Sequence, residues 1–347
     1  MKAAVLKAKR TLVCEERPDP TPNSGEIVVR VEYCGVCGSD VPRYLDGAVH
    51  AFPLVLGHEF SGTVVEVGEG CDTALVGKRV SGIPLIPCME CSDCVGGNYS
   101  LCKQYGFIGS RRDGAYAEYV AVPESNVYPI GDSVSFFDAA FFEPATVAAH
   151  AIRLVKPEAG TAAAIVGCGT IGIFVAQMLQ SMGLSVTALA RRKVRIDAAR
   201  AAGVGRVRDT SVDGWAAKLK SELPKQGFDY VFDTSGSNAM MVESFELAAN
   251  KATVCMVGTP KKPMSFTVAQ WENLNRKELI VTGSWMSYSS PWPGAEWDYV
   301  ADMFANGTLR VVDEMIDGVY SLETIGQGLE KYATTNSVSG KLLIKCR

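Results

Sequence analysis

The chain reads as an α/β protein, with a β-rich first part and a doubly wound parallel sheet beyond it. Three observations predict this. From Ala162 onward short apolar strands alternate with helical patterns, the signature of a parallel sheet with crossover helices. A glycine-punctuated turn joins the first of those strands to the first helix. Before about residue 140 the texture is irregular, with alternating and β-branched segments. The 347 residues correspond to about two domains.

In the first part, residues 26–33 and 62–67 read as strands, and Pro18, Pro20 and Pro22 mark an early loop. In the second, strands are predicted at 162–166, 185–189, 230–232, 253–257 and 279–282. Helices are predicted between them at 171–182, 195–202, 213–223 and 240–249. An aromatic loop follows, then helical patterns at 297–306 and 322–332 and a closing strand at 341–344. Residues 159–190 carry no charge, long enough for a bilayer on length alone. Gly160, Gly167, Gly169, Gly172 and Gly183 break that run, so strand, turn, helix and strand are predicted and no membrane partner.

Hydrophobic residues at 47% and charged ones at 21% are ordinary globular usage. With 34 Lys+Arg against 38 Asp+Glu the chain carries −4, which argues against a broad nucleic-acid surface. Eleven cysteines stand beside three histidines, an odd number, and the segment opening at Met1 has no apolar core of a signal peptide. Metal ligation in a reducing, cytoplasmic setting fits better than secreted disulfides.

The turn reads Gly167-Cys168-Gly169-Thr170-Ile171-Gly172, directly after an apolar strand and before an uncharged helix. In that setting it is a dinucleotide-binding fingerprint. The first glycine makes the turn, the second lets a pyrophosphate approach, and the third packs helix on strand. The helix start then offers N–H groups and a positive dipole end to the phosphates. The next strand should end in an acid if the partner is NAD. It ends at Ala190 instead, followed by Arg191-Arg192-Lys193. Arg forks suit a 2′-phosphate, so NADP is the expected cofactor, with NAD the alternative.

Cys88, Cys91, Cys94 and Cys102 have the spacing of a closed, structural Zn²⁺ site in a Gly/Ser/Asn-rich loop. An iron–sulfur reading lacks the proline expected after the fourth cysteine, where Lys103 stands. Cys37, His58 and Glu143 would supply three ligands and leave a fourth position open, as a catalytic Zn²⁺ requires. Their spacing alone fits a buried thiol and a core histidine equally. His50 and His150 read as structural.

With those residues in place, the chain resembles the zinc-containing medium-chain alcohol/polyol dehydrogenases over nearly its whole length. The motifs are Gly35-Val-Cys-Gly-Ser-Asp40, Val55-Leu-Gly-His-Glu59, the four-cysteine lobe, Glu143-Pro144 and the Rossmann glycines, in the family order. Residues 107–114 and 283–294 look like the galactitol-1-phosphate 5-dehydrogenase branch. The resemblance implies a GroES-like catalytic domain (1–148 with 286–347) and a Rossmann domain (149–285). It implies Cys37, His58 and Glu143 as catalytic zinc ligands, with Glu59 as a carboxylate that can alternate. A homodimer or homotetramer is implied as well.

The expected chemistry is hydride transfer between a secondary hydroxyl of a polyol or polyol phosphate and the nicotinamide. Ser39 is the expected proton relay, and Asp40 the acceptor for the second nitrogen of His58. Ser110, Arg111 and Arg112 are candidate substrate contacts, an Arg being suited to a phosphate. Trp285 and Tyr288 either stack on a polyol or pack structurally. Two rival readings are a dehydrogenase of a free, sorbitol-like polyol and a non-enzymatic nucleotide- and zinc-binding redox sensor.

Overall fold

Six parallel strands in the order Arg206–Asp209, Ser185–Ala190, Ala162–Val166, Phe228–Asp233, Ala248–Met256 and Ile280–Gly283 form one sheet. In chain order this is 3-2-1-4-5-6, the arrangement whose first strand, here Ala162–Val166, sits at the reversal where dinucleotides bind. The computed structural model describes residues 1–347, which divide into two compact units. Ala145–Ser287 with Asn306–Met315 make the unit that holds this sheet. Met1–Pro144, Tyr288–Ala305 and Ile316–Arg347 make the other.

The central strands are apolar on both faces because helices cover both, so Ala163 to Val166 are fully buried. The helices Thr170–Ser181, Lys193–Ala201, Trp215–Ser221 and Asn238–Leu247 alternate with the strands as predicted. Two elements had no clear pattern in the sequence. Arg206–Asp209 is a four-residue edge strand in which only Val207 is uncharged. Val268–Arg276 is a helix opened by a capping box, in which Thr267 Oγ1 accepts from Gln270 N and the Gln270 side chain returns the bond. Lys277 Nζ ends the helix Asn238–Leu247 by donating to the carbonyls of Phe245, Glu246 and Ala248 at 2.9, 3.1 and 2.9 Å. Residues 306–315 were expected with the catalytic domain, yet they group with the Rossmann unit. The buried Gln177 amide donates to the Arg310 carbonyl at 3.2 Å and to that of Ala202 at 2.9 Å, which ties them there.

The other unit is built on the strand Glu26–Gly35. It pairs antiparallel with Glu59–Val67, Tyr119–Pro123 and Lys341–Lys345. Lys341–Lys345 lies between it and Ile316–Tyr320, so residues from both ends of the chain close a single core. No helix of the molecule is long and apolar enough to cross a membrane.

Candidate metal centres and dinucleotide site

The register Gly35↔Glu59 decides the first site. Cys37 leaves the end of one strand and His58-Glu59 enter the start of its neighbour, so residues distant in sequence meet at one sheet end. Ligand atoms of Cys37, His58 and Glu59 all lie within 4.8 Å of one another. Of the two expected carboxylates, Glu59 lies inside this compact set and Glu143 outside it. Glu143 sits in the first turn of Phe142–Val155, buried, close enough to feel the charges of His58, Glu59 and Cys37. Burial pushes its carboxyl up to about 8, with His58 pulling it down and Glu59 pushing it up. Burial likewise lifts the Cys37 thiol to about 11, and the Glu59 carboxylate adds to the rise. A divalent cation would reverse both shifts by displacing protons, as such ligands require.

His58 is 2% exposed, and its Nδ1 is 3.6 Å from Asp40 Oδ1, too far for a hydrogen bond. The expected Asp40–His58 bond is therefore not formed. Arg43 Nη1 donates to Oδ1 at 2.9 Å, and Cys37 N and the Tyr116 hydroxyl each donate to Oδ2 at 3.1 Å. Asp40 thus fixes the backbone that presents Cys37. Phe107 sets its ring edge-on to His58 at 5.3 Å between centroids. Ser39 is exposed beside the donor set. Its N–H points at Cys37 Sγ at 3.5 Å, and its Oγ accepts from Arg43 Nη1 at 3.1 Å.

One group at this site gave no signal that had been read from the sequence. Lys341 is 8% exposed and makes an ion pair with Glu59 Oε2. Burial pulls its pKa down, but Glu59 and then Cys37 outweigh this and hold it above the usual range. A lysine placed directly before the apolar run Leu342-Leu343-Ile344 was the clue available.

Cys88, Cys91, Cys94 and Cys102 converge, with all ligand atoms within 4.8 Å and no disulfide among them. Cys88 Sγ lies 3.5 Å from Cys102 Sγ and 3.9 Å from Cys94 Sγ. Cys88 accepts backbone N–H groups of Glu90 and Cys91, which bring its thiol down to about 7. Four thiols in this geometry, one already inclined to ionise, suit a tetrahedral Zn²⁺. The loop is held from one side by Ser100, whose hydroxyl donates to Tyr288 O at 3.2 Å and accepts from Tyr288 N at 2.9 Å.

In the second unit Gly167 takes φ +98°, and a Cβ on Gly172 would lie 2.7 Å from Thr234 Oγ1. Turn and packing therefore exclude side chains at both. Over Gly169 nothing lies within 4 Å of where a Cβ would stand, which leaves room for a pyrophosphate at the start of Thr170–Ser181. Ala190 ends its strand, Arg191 is exposed next to it, and Arg192 is the N-cap of Lys193–Ala201.

The substrate candidates separate. Arg112 donates through Nη2 to Glu26 Oε1 at 2.8 Å and Ala121 O at 2.9 Å, so it fastens strands rather than meeting a ligand. Tyr288 is 1% exposed and stacks on Trp292 and Trp297, so it cannot stack on a polyol. Trp285 is 56% exposed. Arg111 is exposed and lies over the Tyr105 ring at 4.3 Å. Its loop is pinned to the residue before His58, because a Cβ on Gly109 would come 2.8 Å from the Gly57 carbonyl carbon. Ser110 lies in the same loop, its N–H donating to Phe107 O at 3.2 Å.

Comparison with known proteins agrees with both units. Residues 23–132 match the alcohol dehydrogenase GroES-like domain, and residues 170–305 match the zinc-binding dehydrogenase domain. The chain is 36% identical over 321 residues to galactitol 1-phosphate 5-dehydrogenase of Escherichia coli (strain K12), covering 92% of each. The crystal structure of galactitol-1-phosphate dehydrogenase from Escherichia coli superposes over 100% of both chains with TM-score 0.93 and 35% identity. Sorbitol dehydrogenase of Halalkalibacterium halodurans is 33% identical over 303 residues, 85% of this chain and 87% of that one. A zinc-binding dehydrogenase from Sinorhizobium meliloti 1021 bound to NADP has TM-score 0.90 at 28% identity, covering 99% of each chain.

Proposed function

Because this chain belongs to the zinc-dependent medium-chain alcohol and polyol dehydrogenases, we propose that it oxidises a secondary hydroxyl of a polyol phosphate with NADP. The observation that carries the chemistry is the convergence of Cys37, His58 and Glu59 within 4.8 Å, with Glu143 behind them. One thiolate, one imidazole and one carboxylate are a donor set for Zn²⁺ that leaves a position for substrate. Bound there, Zn²⁺ supplies Lewis acidity that eases ionisation of the substrate hydroxyl, and the nicotinamide supplies a hydride acceptor.

This chain's residues do the rest. Cys37, His58 and Glu59 hold the metal, Phe107 shields His58 from water, and Asp40 anchors the turn that presents Cys37. Ser39, exposed two residues after Cys37, takes the hydroxyl proton toward solvent. The four cysteines hold a second, structural Zn²⁺. Gly167, Gly169, Thr170, Ile171 and Gly172 receive the pyrophosphate, and Arg191 with Arg192 receives a 2′-phosphate.

The phosphate preference rests on Arg111. Rings of Phe107 and Tyr105, 6.3 Å apart, lead from His58 to its guanidinium, which lies 4.3 Å from the Tyr105 centroid. A polyol bound by one hydroxyl at the metal would carry a distal phosphate toward that cation. The sorbitol dehydrogenase relative favours a second reading, a free polyol as substrate. Initial rates on polyols and their phosphates, each with NAD and NADP, decide between them. Under the proposal Arg111→Ala raises KM for the phosphate ester and leaves that for the free polyol unchanged; equal effects on both would remove the phosphate from the reading.

We propose a homo-oligomer as well. The sheet ends at Ile280–Gly283, where Ile280 is 61% and Val281 43% exposed, an open edge suited to a second copy. Light scattering of the purified protein tests it: a monomer mass removes the assembly.

A further inference from the structure

Lys341 is a cation buried beside a donor set made of a thiol and carboxylates. It is far from Glu59 in sequence, and one feature of the sheet lets it reach. Gly35 stands between them, paired with Glu59 on one side and with Leu343 on the other. A Cβ at Gly35 would collide with Glu59 Oε2 and lie 3.0 Å from Lys341 Cε, so the missing side chain is the opening through which the ammonium meets the carboxylate.

A buried ammonium is costly unless it is paired, and a carboxylate 2% exposed is costly on the same terms. The pair offsets both costs and also fixes direction. With Oε2 gripped by Lys341, the carboxylate of Glu59 cannot rotate freely, and it remains in the set that includes Cys37 Sγ and the His58 ring. Ligating carboxylates are generally held in this way by a partner outside the ligand set.

Resting on the zinc-enzyme reading above, we infer that Lys341 is a positioning residue that locks Glu59 as the carboxylate ligand of the catalytic metal. Its loss frees Glu59 and shortens the residence of Zn²⁺ at Cys37 and His58. The four-cysteine site has no part in this pair and serves as an internal reference.

Zinc release from the loaded, full-length protein into excess pyridylazoresorcinol tests the inference without any turnover. The wild type is expected to release two zinc ions in two phases, one for each cluster. In Lys341→Met one phase accelerates by about 10–100-fold and the other is unchanged, while Lys341→Arg stays near the wild type. Folded Lys341→Met with wild-type phases overturns the inference and leaves the dehydrogenase reading standing. A single zinc in the wild type defeats both. Should Lys341→Met not fold, the double variant E59Q/K341M, which removes both charges, is compared with E59Q. Equal rates then support the inference, since the lysine acts only through Glu59. A faster double variant overturns it.

Discussion

Gly35 and Glu59 face each other across two antiparallel strands with no room for one more carbon atom between them. A Cβ at Gly35 would have to displace the Glu59 carboxylate or the Lys341 stem, and both are buried. Gly35→Ala should therefore cost about 1–3 kcal/mol of stability, as overpacked cores do. Zinc content should fall toward one ion per chain. Metal analysis beside a denaturant titration checks both, and two retained zincs would show that the gap closes harmlessly.

Ser39 can be separated from metal binding because its side chain is outside the donor set while its neighbour Cys37 is inside it. Ser39→Ala should lower kcat by about 100-fold or more at unchanged zinc content, the range for losing a positioned proton acceptor. Full turnover in the zinc-loaded variant would end the relay role.

In the proposed reading, the preference for NADP turns on two cations after Ala190. Arg191→Ala/Arg192→Ala should cut kcat/KM with NADP by about 10–100-fold, equivalent to one or two charge-assisted hydrogen bonds. The value with NAD should hardly move. Equal losses with both cofactors would mean that the two arginines do not read the 2′-phosphate.

Burial, and then the neighbouring Cys91 and Cys102 side chains, push the Cys94 thiol up to about 12, so a bound metal is what would make it a thiolate. Cys94→Ser should release the lobe zinc and lower the unfolding temperature, since Ser100 and Tyr288 lose a fixed partner loop. Differential scanning calorimetry with and without a chelator measures this. A chelator that lowers the midpoint of Cys94→Ser as much as that of the wild type would place the stabilising zinc elsewhere.

Asp317 gives a pH dependence of definite sign. Lys331 and the Ser339 hydroxyl and N–H, the latter two at 2.7 Å, hold its carboxyl below the usual range despite burial, which opposes them. A depressed carboxylate contributes stability that is present above its unfolded-state pKa and lost as pH falls through its folded-state pKa. The chain should thus weaken on acidification below about pH 4. Asp317→Asn should cost about 1–3 kcal/mol at neutral pH and flatten that part of the profile. Urea midpoints across pH 3 to 7 for both proteins supply the comparison.

Much of this was legible from local pattern. Strand and helix alternation after Ala162, the glycine turn and the four-cysteine spacing each depend on residues close in sequence, and each has its counterpart in the structure. Arg206–Asp209 escaped because an edge strand needs no apolar alternation to be held by one neighbour. The place of Glu59 inside the compact donor set, with Glu143 outside it, was hidden for a different reason. It depends on strand register and on a lysine hundreds of positions away, neither of which has a local signature. Arg112 looked like its neighbour Arg111, and only the pairing of the strands that carry Glu26 and Ala121 shows that it is occupied.

The placement of Lys341–Lys345 between Glu26–Gly35 and Ile316–Tyr320 also sets an order of assembly. During translation the residues of the six-stranded sheet, ending at Gly283, emerge while the other unit still lacks its inner strand. The Rossmann unit can settle first, because domains condense as units as their residues become available. Cys37, His58 and Glu59 must wait, their thiol and carboxylate unshielded by the ammonium that arrives with residue 341. Of the groups gathered around Glu59, the ammonium of Lys341 is thus the one that emerges after all the others.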